Sequence, residues 1–177
     1  MAQPTPPESV MLILPLFSRY TEALAWAKRE AVAKWGEVAL ESEQFQFAET
    51  GYYEPQMGAE LMLQMIAFKT LINPDDLIDI KLKTNALEVA YLEQSTHTEV
   101  RPLNLDPGYL TPAKFLLATT KDATHRVYLG KGIYAEVTLG FMHGKWQDYY
   151  YTYPNYKRED YKAFLSRCRK MYLDQRV

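Results

Sequence analysis

The clearest pattern along the chain is a continuous apolar run near its beginning, residues Val10–Phe17 (VMLILPLF). A run without alternation predicts a strand that is buried on both faces. Apolar residues then recur at helical spacing over Tyr20–Trp35, and Gly36 follows where a C-terminal cap belongs. Partial alternation over Val38–Phe47 predicts a second strand, so the chain opens as strand, helix and strand.

The middle of the chain continues this alternation of strands and helices. Glu60–Leu71 has residues that suit either a helix or a strand, and the spacing of its apolar residues favours a strand. We expect a helix over Ile80–Gln94, with Asp79 as its cap. Val100–Leu105 predicts only a short edge strand, because Pro102 interrupts it.

The stretch from Asn104 to Leu139 concentrates more potential ligand-binding groups than any other part of the chain. Asp106-Pro107-Gly108 predicts a type II turn, with proline at the second position and glycine at the third. Thr111 followed by proline is typical of a helix start, which predicts a short helix over Pro112–Thr119.

Thr124–Leu139 predicts a β-hairpin whose register can be deduced. A three-residue loop at Gly130-Lys131-Gly132 separates apolar from polar positions, whereas a two-residue loop mixes them. The apolar face then pairs Leu129 with Ile133, Val127 with Ala135, and His125 with Val137. The polar face pairs Tyr128 with Tyr134 and Arg126 with Glu136, and it either meets solvent or lines a pocket.

The last part of the chain combines a tyrosine-rich segment with an amphipathic helix. Trp146–Tyr156 (WQDYYYTYPNY) is interpreted as a strand whose rings either pack on the sheet or stack against bases. The final helix, from Arg158 to about Gln175, has a clear apolar seam and a basic stripe.

Length and composition indicate one domain of 177 residues, with a Pro-rich lead-in over residues 1–9 and a globular part over residues 10–177. The apolar run at residues 10–17 is too short to cross a membrane, and no basic leader precedes it. Cys168 is the single cysteine, which excludes an intramolecular disulfide. We therefore expect a cytoplasmic protein without a membrane partner.

Charge is distributed unevenly along the chain. Residues 1–109 contain 8 Lys/Arg and 16 Asp/Glu, and residues 110–177 contain 12 and 6. The basic C-terminal part either attracts an anionic partner or complements the acidic part inside one fold.

Candidate site residues follow from these elements. On the predicted helix, Lys81, Thr84, Asn85 and Glu88 share one face, which either meets solvent or lines a cleft. Glu136 and His125 are the candidate acid or base groups. The candidate ligand-binding residues are Lys81, Asn85, Glu88, Lys121, Arg126, Tyr128, Lys131 and Tyr134. For His125 a structural role towards the core is the competing interpretation.

Several specific functions lack their motif. Gly130-Lys131-Gly132 has neither the spacing nor the hydroxyl residue of a phosphate-binding loop. The three histidines, His97, His125 and His143, do not have metal-ligand spacing, and no nucleophile elbow occurs. We therefore expect no metal site, and no cofactor is indicated.

The block LNLDPGYLTPAKFLLATTKDATHRVYLGKGIYAEVTL resembles the hallmark segment of an uncharacterised prokaryotic family described as domain of unknown function (DUF) 4416. The segments ESEQFQF, TGYYEPQMG, IKLKTNALE and TYPNY resemble its other blocks in the same order. The resemblance covers nearly the whole chain. It implies one complete domain and no established activity.

The element order predicts an α+β domain with a largely antiparallel sheet and helices mainly on one face. A ferredoxin-like core with an added C-terminal hairpin and helix is the expected topology.

Two functions are compatible with the pattern. One is binding of a phosphate-bearing ligand, a nucleotide or RNA end, with or without phosphoryl or phosphodiester chemistry. The other is a non-catalytic domain that docks a protein partner through its Tyr-rich hairpin.

Overall fold

The fold is built around the strand that the apolar run predicts. The computed structural model describes residues 3–176. Val10–Ser18 forms β1, and all nine of its residues are buried. The other elements, in chain order, are α1 (Thr21–Trp35), β2 (Val38–Glu41), β3 (Phe45–Phe47), α2 (Glu54–Met57), β4 (Leu61–Ile72), α3 (Leu77–Gln94), β5 (Asn104–Leu105), β6 (Gly108–Leu110), β7 (Lys114–Thr119), β8 (Val127–Gly130), β9 (Ile133–Met142), β10 (Lys145–Asp148) and α4 (Glu159–Asp174).

The strands form one sheet of ten strands in the order β10-β9-β7-β6-β1-β4-β2. Three short strands lie off this path: β3 pairs with β4, β5 with β1 and β8 with β9. Every pairing is antiparallel. The segment β6-β1-β4-β2, with α1 and α3 as its two connections, has the ferredoxin-like arrangement that the element order predicts. Strands β7, β9 and β10 extend it.

Helices cover both faces of the sheet. Leu12, Leu14 and Leu16 of β1 pack in the cluster that includes α1 and α3. The alternate residues of β1, such as Met11 and Ile13, pack in the cluster that includes α4. The prediction of an α+β domain with a largely antiparallel sheet is confirmed. Two of the three long helices, α1 and α3, lie on one face, while α4 and the short α2 pack on the other. No helix within residues 3–176 is long and apolar enough to cross a membrane.

The first half of the chain follows its sequence pattern closely, except that α3 begins at Leu77, so that Asp79 lies in its first turn and is not its cap. The helix ends at Trp35, and Gly36 caps it with a φ of 91°. The stretch whose residues suit either a helix or a strand is β4, so the strand interpretation is confirmed. The single strand predicted over Val38–Phe47 is divided into β2 and β3, because Ser42 lies between them and its hydroxyl accepts the Met65 N–H over 2.8 Å.

The short helix predicted over Pro112–Thr119 is wrong, because this segment contains β7. The Thr111 hydroxyl accepts the N–H groups of Ala113 and Lys114, at 3.2 and 3.1 Å, and so forms a turn between β6 and β7. Phe115 and its alternate residues then pack towards α4, while Leu116 packs on the opposite face. Burial on both faces conceals the alternation that identifies a strand.

The type II turn predicted at Asp106-Pro107-Gly108 is also wrong. Gly108 is the first residue of β6 and is not among the glycines with positive φ. A Cβ on Gly108 would lie 2.0 Å from the carbonyl oxygen of Leu116. Glycine is required here because two backbones approach closely and not because a turn needs a left-handed residue.

The predicted hairpin is formed, and two of its five predicted pairs are confirmed in the register. Val127 pairs with Ala135, and Tyr128 pairs with Tyr134. At the tip the loop is shorter than predicted, because Gly130 pairs with Ile133 and Leu129 forms an irregularity. The apolar face of the hairpin is not buried along β8, since Val127 and Leu129 are 67% and 40% exposed. The strand β8 pairs only with the first residues of β9 and lies at the sheet edge.

The ends of the chain complete the fold. The strand predicted over Trp146–Tyr156 is confirmed only for β10, because a turn follows in which Tyr149 N–H donates to the Thr152 hydroxyl over 2.8 Å. The lead-in predicted over residues 1–9 is exposed and without regular structure over residues 3–9. Residues 1, 2 and 177 lie outside the described residues.

Candidate functional site

A cavity opens where the sheet is interrupted beside β7. Strand β6 lies between β1 and β7 but begins only at Gly108. Beyond this point the neighbour of β1 is the short strand β5. Ala118 and Thr119 of β7 therefore have a paired strand on one side, β9. On the other side the Pro107 carbonyl accepts the Ala118 N–H over 2.9 Å. The resulting cavity has a volume of about 100 Å³ and is open to solvent on one side.

Lys81 of α3 forms the first polar wall of the cavity. Its ammonium donates to the carbonyl oxygen of Leu105 over 2.8 Å and to Asp106 Oδ1 over 3.2 Å. The side chain of Lys81 is only 4% exposed, so a buried cation is held here by a carboxylate and a backbone acceptor. Asn85, one turn further along α3, lines the same cavity.

Arg101 forms a network next to this pair. Its Nε and Nη2 donate to Glu88 Oε2 over 3.2 and 2.9 Å, and the Leu105 N–H donates to Glu88 Oε1 over 2.8 Å. Burial raises the pKa of Glu88, although the charges of Lys81 and Arg101 oppose this increase. Burial favours the neutral form of Arg101, but the charges of Glu88 and Asp106 outweigh it and raise the Arg101 pKa. The network fixes one wall of the cavity in place.

Asn104 connects the two groups of charges. Arg101 donates to its side-chain oxygen, and its own amide nitrogen donates to Asp106 Oδ2 over 2.7 Å. Asn104 is 1% exposed. Its amide therefore joins Arg101 and Asp106 in one hydrogen-bond network, and Asp106 in turn accepts a hydrogen bond from Lys81.

The opposite wall carries Arg126 and Glu136 from the hairpin. Arg126 Nε donates to Glu136 Oε2 over 2.8 Å, and His125 Nε2 lies 3.0 Å from the same oxygen. Burial opposes the charge of Arg126, but the hydrogen bond and charge of Glu136 raise its pKa. The His125 ring stacks on Tyr151 at a centroid distance of 4.2 Å. His125 thus contacts Glu136, which lines the cavity, but does not line the cavity itself.

Lys121 lies at the mouth of the cavity and is exposed. Its ammonium donates to the Tyr52 hydroxyl over 2.7 Å and lies 5.0 Å from the centroid of that ring. The hydrogen bond and the positive charge of Lys121 lower the pKa of Tyr52. Within residues 3–176, Lys121 forms no ion pair with a carboxylate.

Aromatic and neutral polar side chains complete the lining. Phe17, Phe47 and Tyr53 form one aromatic wall. Their ring centroids lie between 5.2 and 6.0 Å apart. Asn155 and Tyr156 follow β10 in a 3-10 turn and reach the cavity from the α4 side. Both are buried, at 1% and 3% exposure. Asn155 Nδ2 and the Tyr156 hydroxyl have no hydrogen-bond partner within residues 3–176.

Half of the predicted site residues come together in this cavity. Those that line it are Lys81, Asn85, Lys121, Arg126 and Glu136. Glu88 and His125 each contact a lining residue, Arg101 and Glu136 respectively. The face that α3 presents with Lys81 is a cleft-lining face, and the solvated alternative is wrong for Lys81 and Thr84, which are 3% and 0% exposed.

The other three predicted residues lie apart from the cavity at the end of the hairpin. Tyr128 and Tyr134 pack against each other at a centroid distance of 5.2 Å. Lys131 donates to Asp79 Oδ1 over 2.8 Å, and both side chains are more than half exposed. These three residues therefore do not share a site with the other seven.

Sequence reasoning misses several residues of the cavity. The local pattern assigns Asp106 to a turn, and it does not single out Arg101, Asn104, Tyr53, Asn155 or Tyr156 for the site. Two segments contain signals that could have identified them: the polar residues around Pro102 and the TYPNY segment. Amide and charged groups in such short irregular stretches need hydrogen-bond partners when they are buried. Their convergence depends on pairings between residues that are distant in sequence.

The fold and this cavity define an extended ferredoxin-like α+β domain with a polar, positively charged pocket at an interruption of its sheet. A model of the family described as "Domain of unknown function (DUF4416)" matches residues 8–172. The chain therefore belongs to this family, as its sequence blocks indicate. No curated protein and no solved structure matches the chain.

Proposed function

We propose that the protein binds a phosphate-bearing ligand, a nucleotide or an RNA end, in the cavity beside β7. The observation that supports the proposal most strongly is the charge of the walls. Four cationic side chains and two carboxylates line the cavity, which leaves an excess of two positive charges: Lys81, Arg101, Lys121 and Arg126 against Asp106 and Glu136. Such an excess in a concave site attracts anions.

Lys121 and Arg126 are the residues that we assign to the phosphate. Lys121 is exposed at the mouth, and its polar partner is the Tyr52 hydroxyl. The planar guanidinium of Arg126 suits two phosphate oxygens at once. It is oriented by Glu136 through Nε and by the Lys121 carbonyl oxygen, which accepts from Nη1 over 3.0 Å. Lys81 and Arg101 are more fully engaged by Asp106 and Glu88, so they contribute mainly long-range attraction.

Phosphoryl or phosphodiester chemistry is the second part of the proposal. Glu136 lines the cavity and is the group placed to accept or return a proton at a bound ligand. His125, at 3.0 Å from Glu136 Oε2, would orient this carboxylate and exchange the proton with it. We assign His125 this supporting position because it does not line the cavity.

Binding is tested by calorimetric titration with nucleoside monophosphates and with a short 5′-phosphorylated RNA, at low and high salt. We expect measurable affinity that weakens as salt is raised, because the contact is charged. Removal of one cationic hydrogen-bond donor in Lys121→Ala should weaken binding about tenfold. Tighter binding of the RNA than of the mononucleotide identifies an RNA end as the ligand.

Lys131→Ala is the matched control. Lys131 is an exposed lysine on the same hairpin region, and its partner is Asp79, outside the cavity. Equal losses in the two variants would show that only general surface charge attracts the ligand. Absence of any salt-sensitive binding in the wild type would refute the proposal.

The alternative function, docking of a protein partner through the Tyr-rich segment, is favoured by one observation. Tyr150 is 86% exposed, which is unusual for a tyrosine. Its neighbours are engaged internally, since Tyr149 and Tyr151 stack at 5.3 Å and the Tyr151 hydroxyl donates to the Val137 carbonyl over 3.2 Å. A partner that co-purifies with the wild type and is lost with Tyr150→Ser, but not with Tyr128→Ser, would favour docking.

We expect either function to operate in the cytoplasm, as the cysteine content of the chain suggests. Cys168 is a free, buried thiol. Fractionation of cells that express the tagged protein tests the location.

A further inference from the structure

We propose that the inner part of the cavity is a subsite for a nucleobase, in which Tyr156 and Asn155 bind the polar edge of the ring. The inference rests on the proposed function and deepens it, because it assigns the uncharged half of the ligand. Two polar groups of the cavity lining are buried and have no hydrogen-bond partner within residues 3–176.

The Tyr156 hydroxyl is the first of these groups. The residue is 3% exposed, and its ring packs against Phe115 and Tyr161 at centroid distances of 5.8 and 5.7 Å. Its hydroxyl has no hydrogen-bond partner within residues 3–176. Burial, together with the negative charges of Asp106 and Glu136, raises its pKa well above the ordinary value. The group therefore stays a neutral O–H that can donate a hydrogen bond.

The Asn155 amide is the second group. Asn155 is 1% exposed, and its Nδ2 also lacks a hydrogen-bond partner within residues 3–176. Buried polar groups in folded proteins are nearly always bonded, so an unsatisfied pair that lines a cavity requires a ligand or water. An amide N–H and a tyrosine O–H together match a ligand with acceptor atoms, such as the keto oxygens and ring nitrogens of a base.

A flat ring also fits the side walls of the subsite. Phe17, Phe47 and Tyr53 line the cavity and contact one another. Aromatic side chains are the usual surfaces on which bases stack, whereas a sugar phosphate or inorganic phosphate has no flat apolar face to offer them. The aromatic wall and the two donors thus select the same kind of group.

The two cations that we assign to the phosphate lie nearer to solvent than the two uncharged donors of the lining. Lys121 is exposed at the mouth, and Arg126 is partly buried next to it, whereas Tyr156 and Asn155 are fully enclosed. A ligand that satisfies both parts has an anionic end and an uncharged, acceptor-bearing ring. A nucleotide with its phosphate at the mouth and its base inside has this form.

The test compares a nucleoside monophosphate with ribose 5-phosphate, which carries the same phosphate but no base. We expect the nucleotide to bind more tightly than ribose 5-phosphate. Tyr156→Phe should weaken nucleotide binding about fivefold, the effect of one net hydrogen bond, and leave ribose 5-phosphate binding unchanged. Asn155→Ala should show the same selective loss.

Thr138→Val is the matched control, because the Thr138 hydroxyl is also buried and unpartnered within residues 3–176 but does not line the cavity. We expect Thr138→Val to bind both ligands as the wild type does, and thermal unfolding verifies that each variant is folded. Equal affinities for nucleotide and ribose 5-phosphate, or equal effects of Tyr156→Phe and Thr138→Val, would overturn the base subsite while phosphate binding stands. If neither compound binds, the proposed function itself fails.

Discussion

Lys81 and Asp106 form an ion pair across the cavity wall, with 3.2 Å between Nζ and Oδ1. The pair connects α3 to the chain between β5 and β6, and the Leu105 carbonyl accepts from the same ammonium over 2.8 Å. Because Lys81 is 4% exposed and Asp106 is 25% exposed, water screens the pair only weakly. A lysine of α3 thus serves as a structural support of the proposed binding site.

Lys81→Met should destabilise the protein substantially. The variant keeps the aliphatic stem but leaves Asp106 without its cation and the Leu105 carbonyl without a donor, which we expect to lower the free energy of unfolding by about 3 kcal/mol. Chemical denaturation measures the change. Lys83→Met, at an exposed position on the same helix, should alter the stability by less than about 0.5 kcal/mol. Similar values for the two variants would contradict the structural role of Lys81.

Gly108→Ala should be more harmful than a glycine substitution elsewhere in the chain. Its Cβ would lie 2.0 Å from the Leu116 carbonyl oxygen, so β6 and β7 must separate. We expect the free energy of unfolding to fall by about 3 kcal/mol or more.

Gly132→Ala provides the comparison for Gly108→Ala. Gly132 has a φ of 77°, and nothing lies within 4 Å of the position that an alanine methyl group would take, so only backbone strain opposes the alanine. The expected loss is about 1 kcal/mol. Urea denaturation measures both variants. A larger loss of stability in Gly132→Ala than in Gly108→Ala would mean that the close approach of β6 and β7 is not the reason for a glycine at position 108.

Glu136→Gln should separate the structural role of this carboxylate from its electrostatic role. The amide still accepts from Arg126 but no longer neutralises it, and Glu136 is 4% exposed. We expect a loss of about 2 kcal/mol in stability. Phosphate-ligand affinity should rise by roughly tenfold, because the cavity gains one positive charge.

Glu159→Gln is the control for this charge change, since its side chain is 90% exposed at the start of α4. Neither stability nor affinity should change appreciably in that variant. Weaker ligand binding in Glu136→Gln would show that the carboxylate matters more for orienting Arg126 or contacting the ligand than for the net charge, and the charge argument would then be wrong.

Cys168 should make the stability depend on alkaline pH. Burial raises the pKa of its thiol from 9.0 to about 12. In the unfolded chain the thiol loses its proton at the lower value, so the unfolded state is increasingly favoured as pH rises between these two values. The contribution of Cys168 to stability is therefore complete below about pH 9 and is lost above it.

Urea unfolding at about pH 7 and about pH 10 measures this dependence. Cys168→Ala should show a smaller decrease in stability over this interval than the wild type, although tyrosines with raised pKa values, such as Tyr53 and Tyr156, add the same trend in both. The native thiol should also resist alkylation until the protein unfolds. Rapid alkylation of the folded protein would contradict its burial.

Much of the fold was predictable from local patterns. β1 and α1 follow from an uninterrupted apolar run and from a helical stripe that ends at Gly36. Part of the hairpin register follows from the requirement that polar and apolar positions separate, and the pairs Val127–Ala135 and Tyr128–Tyr134 satisfy it. In these elements the type of secondary structure, or the pairing, follows from residues a few positions away in the chain.

The errors occur where tertiary contacts override the local signal. Thr111-Pro112 has the residues of a helix start, yet the following segment is a strand because it fills the space between β6 and β9. Gly108 has the residues of a turn around it, yet its role is decided by Leu116 on the adjacent strand. Propensity differences of at most about 1 kcal/mol per residue are small compared with burial of a whole strand.

For the site, the sequence by itself determined which side chains are available and that Lys81 and Asn85 share a helix face. Only the tertiary structure decided that this face meets Arg126 and Glu136 in one cavity and that Lys131 lies outside it. It also decided that Tyr156 is buried without a partner among residues 3–176. The reason is that helix and strand periodicities are local properties, whereas a cavity depends on where strands that are distant in sequence stop pairing.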